Sequence, residues 1–515
     1  MAARPRRWRR SALAGLGLAL VLASAAVLAG GAPAPLVEPA DPTAQPAPDR
    51  MRVRFRPLAL VEGVGTRVSI ALARRAPLEG EVARIVCHPG EQRAYTAVVD
   101  LDTPGDGDRH RAWITFDARG VHGWIGHPRT ELALAGPHAG AELVDVARLE
   151  ARVAALKQTG QLREPRWSEI EPPTAPAPAD RLVDLPDLPC SERGAVRSIR
   201  IALVHGVGLA RRHGEGTGLR LRHLVAMADD ILREGGTGLG LELAHVAAVE
   251  HEEGAETLPG LLCGFTEGRV AGDVEALRDR EAADLAFMVL GTGFPRGDRL
   301  ARGASCGRAW IAGKDGAQPS VAHDARFGYG VVIDGWIGDV RGLDGRGSTN
   351  LRCPDWVLAH ELGHSLGAQH LVGHDGGDAG AAPWARPRFA PGRFATLMTV
   401  FESKRLLHRG AILDRDALRA LERALADEPA AIDPFLEQIE VETPALPMLS
   451  NPRLRGCPDA DGRCGDATTA DDARAVAKVG EVVACFRGAC AAAPAPPPEP
   501  PYVAARNAFC AELRR

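Results

Sequence analysis

Two hydrophobic patterns follow one another along the chain. Between Met51 and Leu134, short runs of β-forming residues are separated by turns that contain glycine or proline. Such spacing predicts a small antiparallel sandwich or barrel. From Arg197 onward, apolar runs suited to buried strands alternate with segments whose apolar residues recur at helical intervals, as expected of a mixed or parallel sheet. The sequence therefore predicts a small all-β unit followed by a larger α/β unit.

The same patterns predict individual elements. Residues 141–158 have helical spacing, and Arg220–Leu232 carries apolar residues on one helical face. Glycines between positions 235 and 240 end that second helix, and the run LELAHVAAVE that follows is a strand candidate.

The N-terminus carries a targeting signal. Five arginines precede an uncharged run from Ser11 to Ala29, which predicts a signal peptide and hence a secreted protein, extracellular or periplasmic. The run also approaches the length of a membrane span, so an uncleaved membrane anchor is the alternative. We divide the chain into 1–30 (signal peptide or anchor), 31–50 (Pro/Ala-rich linker), 51–160 (β-rich domain), 161–195 (linker), 196–487 (α/β domain, with a helical insertion at 402–442) and 488–515 (Pro-rich tail).

Composition narrows the function classes. A chain of 515 residues with 45% hydrophobic and 25% charged residues is neither wholly disordered nor fibrous, and its length suggests two or three domains. Its 62 basic and 66 acidic residues give a net charge of −4, which lacks the basic footprint of nucleic-acid binding. Ten cysteines without a C-x-x-C pair predict disulfides in an exported chain. We expect a monomer that meets a membrane only if the N-terminal segment is retained.

One segment, DWVLAHELGHSLGAQH, has the spacing of a metal site. His360 and His364 are four residues apart, so on a helix both imidazoles share one face and can bind one metal ion. Glu361 lies beside the first ligand, where it can act on a metal-bound water. Gly367 can take a positive φ, so that the chain leaves the helix and His370 returns as a third ligand. Three neutral histidines with one open position are the form of a catalytic zinc site.

Other interpretations of these residues stay open. The histidines could be incidental members of an amphipathic helix. His374 competes with His370 as the third ligand, although the spacing favours His370. Cys87, in the all-β unit, could cap the zinc in a latent form or could be structural.

Two acidic segments are weaker candidates. The run Asp100–Asp108 could bind calcium, but its spacing does not follow the EF-hand loop, and a polar hairpin turn is the alternative. Asp461 lies between Cys457 and Cys464, which predicts a turn closed by a disulfide.

The motif HExxHxxGxxH resembles that of the metzincin zinc endopeptidases, in which a methionine turn follows it. ATLMTV matches that turn and places Met398 beneath the metal. Over residues 196–487 the chain is most similar to the reprolysin/adamalysin-like branch and its bacterial secreted relatives, through the segments LRDREAADLAFMVL, CGRAWI and LSNPRL.

The resemblance implies a fold and a set of neighbours. The fold class is α/β (α+β): a metzincin-like catalytic domain with a mixed sheet and an active-site helix, after a small all-β N-terminal domain. In CGRAWI, the residues Gly307, Arg308 and Ala309 are implied to form the edge strand that borders the substrate cleft. The resembled fold also brings Cys306 close to Cys353, which implies a disulfide between them. Pairing elsewhere, for instance of Cys263 with Cys306, is the alternative.

The sequence also departs from that branch. Leu371 follows the third histidine where reprolysins usually have Asp, and Val400 stands where astacin- and serralysin-like enzymes have a tyrosine. The insertion at 402–442 leaves the shape of the primed-side pocket open.

The function predicted from these features is a secreted zinc endopeptidase with protein or peptide substrates, in which Glu361 is the general base. A catalytically idle relative that acts in binding or adhesion is the alternative, and a zinc amidase is a third hypothesis. We expect the all-β unit to be a propeptide or folding aid, with an adhesion module as the alternative.

Overall fold

The structure, a computed structural model, covers most of the two units predicted above. It describes residues 32–149, 182–291, 306–341, 348–371, 379–399, 445–488 and 498–514, with short breaks at 42, 44–46, 48, 74, 91–92, 103–109, 128–129, 147, 193, 195, 254–255, 391–392 and 459–460. The predicted signal segment 1–30 and the insertion 402–442 lie outside the described residues, as do His374, Val400 and most of the calcium candidate.

The first unit is a closed barrel of nine strands. Around the barrel the order is β1-β2-β9-β8-β7-β6-β5-β4-β3, and a parallel pairing of β3 with β1 closes it. Its strands are β1 Ala34–Pro39, β2 Arg50–Phe55, β3 Arg67–Leu72, β4 Arg75–His88, β5 Ala94–Leu101, β6 His110–Asp117, β7 Val121–His127, β8 Thr130–Gly136 and β9 Ala141–Asp145.

Side-chain alternation gives the barrel two apolar faces. Because successive residues of a strand point to opposite sides, Ala97, Val99 and Ile114 fill the interior. Outward-facing Val98 and Trp113, on the same strands, are equally buried, but in the core of the second unit.

Two predicted boundaries of this unit need correction. Strand β1 lies in the segment 31–50 that we predicted to be a linker, and its Leu36 and Val37 are buried in the barrel core. The Ala/Pro-rich composition hid this strand, because its pairing with β2 and β3 depends on closure of the barrel. Residues 141–145 form β9 rather than the start of a helix. The sequence AELVD fits the two-residue period of a strand as well as the period of a helix, and it becomes a strand because it pairs with β2 and β8.

Part of the predicted second linker also belongs to the barrel. Leu185 and Leu188 are buried in the barrel core, and Cys190 forms a disulfide with Cys87 on β4. Cys87 is therefore a structural cystine and does not supply the thiol that the latency hypothesis requires.

The second unit is built on a five-stranded mixed sheet, which confirms the predicted fold class. Its order is β11-β10-β12-β14-β13, with β13 antiparallel at one edge and the other strands parallel. These strands are β10 Arg197–His205, β11 Leu239–Ala248, β12 Leu285–Leu290, β13 Gly307–Ala309 and β14 Tyr329–Ile333. Three two-stranded pairs accompany the sheet: β15 Gly335–Arg341 with β16 Ser348–Cys353, β17 Phe389–Ala390 with β18 Phe394–Ala395, and β19 Asn451–Arg455 with β20 Arg463–Cys464.

Helices pack against this sheet and extend its core. They are α1 Val207–His213, α2 Thr217–Glu234, α3 Leu258–Thr266, α4 Val274–Arg280, α5 Val321–Asp324, α6 Val357–Ser365, α7 Asp472–Val483 and α8 Pro501–Leu513. Helix α2 contains the predicted segment Arg220–Leu232, and α6 carries the first part of the metal motif. Within the part of the chain that the structure describes, no helix is both long enough and apolar enough to cross a membrane.

Helix α8 lies in what we predicted to be a Pro-rich tail. Its buried residues include Tyr502, Arg506 and Cys510, which recur every four residues and so form one helical face. Cys510 is joined to Cys263 on α3, and Arg506 donates a hydrogen bond to the carbonyl of Ile311, just beyond β13. The proline content of residues 491–501 concealed this short docked helix.

Four disulfides join described cysteines: Cys87–Cys190, Cys263–Cys510, Cys306–Cys353 and Cys457–Cys464. The third is the pairing that the resemblance implied, and the fourth closes the predicted acidic turn. Cys306 directly precedes β13, and Cys353 ends β16. The third disulfide therefore fixes the edge of the sheet to the chain that enters α6.

We predict that Cys353→Ser lowers the free energy of unfolding more than Cys464→Ser does. Cys306 and Cys353 are 47 residues apart, and Cys457 and Cys464 only 7. Loop-closure entropy then gives roughly 4 kcal/mol for the longer loop and roughly 2.5 kcal/mol for the shorter one. Chemical denaturation of both variants measures the difference. Equal losses, or a smaller loss for Cys353→Ser, would contradict this account.

Candidate active site

The metal motif lies on a buried helix and the turn that ends it. All nine residues of α6 are buried, including His360, Glu361 and His364. Gly367 ends the helical path with a φ of +85°. A Cβ at that position would lie 2.7 Å from the Cβ of Ala381, so both the conformation and the space require glycine. The chain then turns back and brings His370 to the two helical histidines.

Three imidazole nitrogens meet at one point. The Nε2 atom of His370 is 3.0 Å from the Nε2 atoms of both His360 and His364. At a zinc–nitrogen bond length of about 2.0–2.1 Å, three tetrahedral ligands would lie about 3.3 Å apart, close to what is seen. The triad is therefore compatible with zinc binding.

Backbone carbonyls orient two of the three rings. The Nδ1 atom of His360 is 2.7 Å from the carbonyl oxygen of Leu397, and Nδ1 of His364 is 3.0 Å from that of Ala368. A carbonyl only accepts, so each Nδ1 carries the proton and donates it. Each Nε2 then presents a lone pair toward the shared point, which is the form of histidine that binds a metal.

The methionine of the predicted turn lies directly against α6. Met398 is fully buried, and a Cβ added to Gly363 would lie only 2.4 Å from its Sδ. Gly363 therefore permits the close approach of this turn to the helix. The same turn supplies the Leu397 carbonyl that orients His360, and Met398 is the next residue along the chain.

Glu361 points toward the edge of the sheet. A Cβ on Gly307, the first residue of β13, would lie 2.5 Å from Cγ of Glu361. The glycine thus leaves the space that the carboxylate side chain occupies. Arg308 is exposed on the same strand, and Ala309 pairs with Gly330 of β14. The structure therefore brings Gly307 against the candidate base, while Arg308 and Ala309 continue the same edge strand.

A second set of contacts holds His370, and the sequence analysis missed it. Arg386 donates a hydrogen bond to the backbone carbonyl of His370, and the hydroxyl of Ser450 donates to the carbonyl of Arg386 over 2.7 Å. Ser450 lies in the LSNPRL segment that supported the resemblance, so that segment could have identified Ser450 as a residue near the site. Arg386 is a single charged residue in a loop, where no periodic pattern marks it.

A buried ion network anchors the start of α6. Arg220 on α2 binds Asp355 through both terminal nitrogens, each 2.8 Å from a carboxylate oxygen, and it also binds Asp334 after β14. Burial alone would raise the pKa of Asp334, but the Arg220 guanidinium outweighs it and holds that pKa well below its usual range. Burial lowers the pKa of His213, beside Asp334, to about 4, so this histidine is neutral at pH 7.

Part of the chain matches a known protein family. Residues 219–371 match the family model described as metallo-peptidase family M12B, reprolysin-like. The chain has no significant match among curated proteins.

Two solved structures resemble the chain weakly. "Structure of a chaperone-substrate complex" is 16% identical, with a TM-score of 0.35, and the match covers 57% of this chain and 36% of that one. The chain thus spans about a third of that structure's length. A crystal structure of metalloproteinase-II from Bacteroides fragilis is 12% identical, with a TM-score of 0.33, and the match covers 61% of this chain and 84% of that one.

The matched residues 219–371 include α2, β13, α6 and all three histidines. Over this range, the predicted resemblance to the reprolysin-like metallopeptidases is therefore confirmed.

Proposed function

We propose that the protein is a secreted zinc endopeptidase in which Glu361 is the general base. The observation that carries the proposal is the convergence of the three histidine Nε2 atoms, 3.0 Å apart in two of the three pairs. Secretion is supported by the four disulfides among the described cysteines, because such bonds persist in oxidising compartments.

His360, His364 and His370 would hold one zinc ion. Three protein ligands leave one position for water or substrate, which distinguishes a catalytic from a structural zinc site. Zinc, when bound, supplies a Lewis acid that polarises the peptide carbonyl and acidifies water.

Glu361 would move the protons. It follows His360 directly on α6 and extends to Gly307 at the start of β13. From there its carboxylate takes the proton of the attacking water and passes it to the nitrogen of the leaving amine. Burial of Glu361, which is 3% exposed, limits bulk water around that transfer.

Strand β13 would bind the substrate backbone. It is the last strand of the sheet within the described residues and pairs on one side with β14. An extended peptide adding a further strand there would place its carbonyl beside Glu361 and the histidines. Mapping cleavage sites in a denatured proteome by mass spectrometry, with and without a chelator, tests the proposal. Absence of chelator-sensitive cleavage would contradict it and favour an idle binding protein.

Removal of one ligand should empty the metal site. Purified protein should carry about one zinc per chain, and His364→Ala should carry less than about a tenth of that, because two ligands bind too weakly. Elemental analysis measures both. His245→Ala, which removes a histidine on β11, is the matched control and should keep its zinc. Near-stoichiometric zinc in His364→Ala would refute the ligand assignment.

Removal of the base should separate metal binding from activity. Glu361→Gln keeps the size of the side chain and should keep zinc, while hydrolysis of an unstructured protein falls by about 100-fold or more. Glu242→Gln on β11 controls for the loss of a carboxylate. Unchanged proteolysis in Glu361→Gln would exclude the base role, and joint loss of zinc and activity would assign Glu361 a structural one.

The space left by Gly307 gives an independent test of the same carboxylate. Gly307→Ala places a methyl group against Glu361, and we expect kcat/KM to fall by about 10-fold or more with zinc content unchanged. Gly140→Ala in the barrel, where a Cβ meets nothing within 4 Å, is the control. Equal kcat/KM values for the two variants would contradict the placement of Glu361 against β13.

A further inference from the structure

The outer face of the barrel is buried against the second unit, the five-stranded sheet and its helices, which we call the protease unit. Val98, Trp113 and Trp124, on the adjacent strands β5, β6 and β7, point away from the barrel interior, yet they are only 1%, 2% and 5% exposed. All three belong to the same apolar core as the sheet and α2. Separation of the barrel would expose two tryptophans and a valine, together with the surface that covers them.

A buried carboxylate joins the two units at the centre of this contact. Asp230 on α2 is 2% exposed and accepts a hydrogen bond from the Trp113 indole nitrogen over 2.8 Å. Two barrel arginines, Arg84 and Arg111, bind it at 2.7 and 2.9 Å. The barrel thus supplies two hydrogen-bond donors, Arg111 and Trp113, and a further cation, Arg84, to one carboxylate of the protease unit. Losing a partner of such a buried pair is strongly destabilising.

The contact continues toward the metal motif. The Oγ1 atom of Thr115 on β6 lies 3.0 Å from Nδ1 of His223 on α2. The Nε2 atom of the same ring lies 3.3 Å from the Asp355 carboxylate. Asp355 comes two residues before α6, and Arg220 binds it as well. The barrel is therefore linked through α2 to the start of the helix that carries His360 and His364.

A disulfide ties the barrel to the chain that follows it. Cys87 on β4 is bonded to Cys190, which lies seven residues before β10. The amide nitrogen of Ile85 also donates to the Ser191 hydroxyl over 2.9 Å, and the amide of Ser191 donates back to Ile85. A single cut anywhere between residues 151 and 189 would leave the barrel covalently attached.

The contacts described above place the barrel against α2 rather than against β13. The barrel's hydrogen bonds and ion pairs to the protease unit described above fall on α2, whereas Glu361 faces Gly307. A propeptide that inhibits by covering the substrate edge would have to contact that strand.

We infer that the barrel is a permanent, non-inhibitory domain of the mature enzyme, docked on α2 and tethered through Cys87–Cys190. It acts on the site as a positioning partner, by holding α2 and, through His223 and Asp355, the entry to α6. The inference concerns docking and retention, so gel, chromatographic and metal measurements test it independently of the proposed peptidase function.

The test is a controlled cut of the full chain. A recognition sequence for a site-specific protease is inserted between Leu162 and Arg163, and the purified protein is cleaved. We expect one species on a non-reducing gel and two on a reducing gel. In a Cys87→Ser/Cys190→Ser version, the cut barrel should still co-elute with the protease unit on gel filtration. Zinc content should stay the same, and hydrolysis of an unstructured protein should change by less than about twofold.

Two results would overturn the inference. One is separation of the cut barrel with no loss of thermal stability in the remaining unit. The other is a rise in proteolysis of about tenfold or more on cutting, or its first appearance then, because an inhibitory propeptide behaves in that way. An inactive chain that remains inactive, with co-eluting fragments, would count against the peptidase proposal alone.

A point variant tests the buried contact itself. Asp230→Asn keeps the shape of the side chain but removes the charge that pairs with Arg84 and Arg111. We expect Tm to fall by about 5 °C or more, and the cut barrel of the double-serine version to dissociate. Glu252→Gln, in an exposed ion pair with Arg211, is the matched control and should shift Tm by less than about 1 °C. Equal Tm values for the two variants would contradict a role for Asp230 in docking.

Discussion

The convergence of three imidazole nitrogens is the constraint on which the protease unit depends. A histidine side chain rotates about two bonds, so an Nε2 lone pair points at a shared centre only if something holds the ring. Two rings are held by carbonyls of Leu397 and Ala368, at 2.7 and 3.0 Å. The third is held through its own backbone, where Arg386 donates to the His370 carbonyl. Leu397 and Arg386 come after the motif in sequence, so the metal geometry forms only when later segments have packed against α6.

The barrel is also constrained by parts of the chain that lie outside it, because the alternating pattern of its strands leaves apolar side chains on both faces. Alternation along β5, β6 and β7 fills the interior, but it also places Trp113 and Trp124 on the outside, where they need cover. Helix α2 supplies that cover and is itself buried along most of its length. Because α2 packs against the barrel as well as against α6, the two units share one support.

The separation of interacting residues along the sequence explains which features could be predicted from the sequence. The motif from His360 to His370 is local, and helical spacing with one glycine is enough to specify it. The Cys306–Cys353 pairing came only through the resemblance to a known fold, since spacing alone leaves many pairings open. Arg220, Asp334 and Asp355 carried no signal, because isolated charges far apart in sequence have no period to detect. Proline-rich composition led to wrong predictions of a linker at β1 and a tail at α8. Barrel closure orders β1, and the Cys263–Cys510 disulfide holds α8.

The junction between the sheet edge and α6 shows why both a covalent and an ionic link are present. Cys306 is bonded to Cys353, and its carbonyl accepts from the amide of Ile333, one residue before Asp334. Arg220 joins Asp334 to Asp355, two residues beyond Cys353. A single link would allow α6 to rotate about it, whereas two links a few residues apart remove that rotation. A buried ion network is not required for stability, since apolar residues of similar volume often stabilise as much. A planar guanidinium bound to two carboxylates does fix direction, however, and direction is what the alignment of Glu361 with β13 requires.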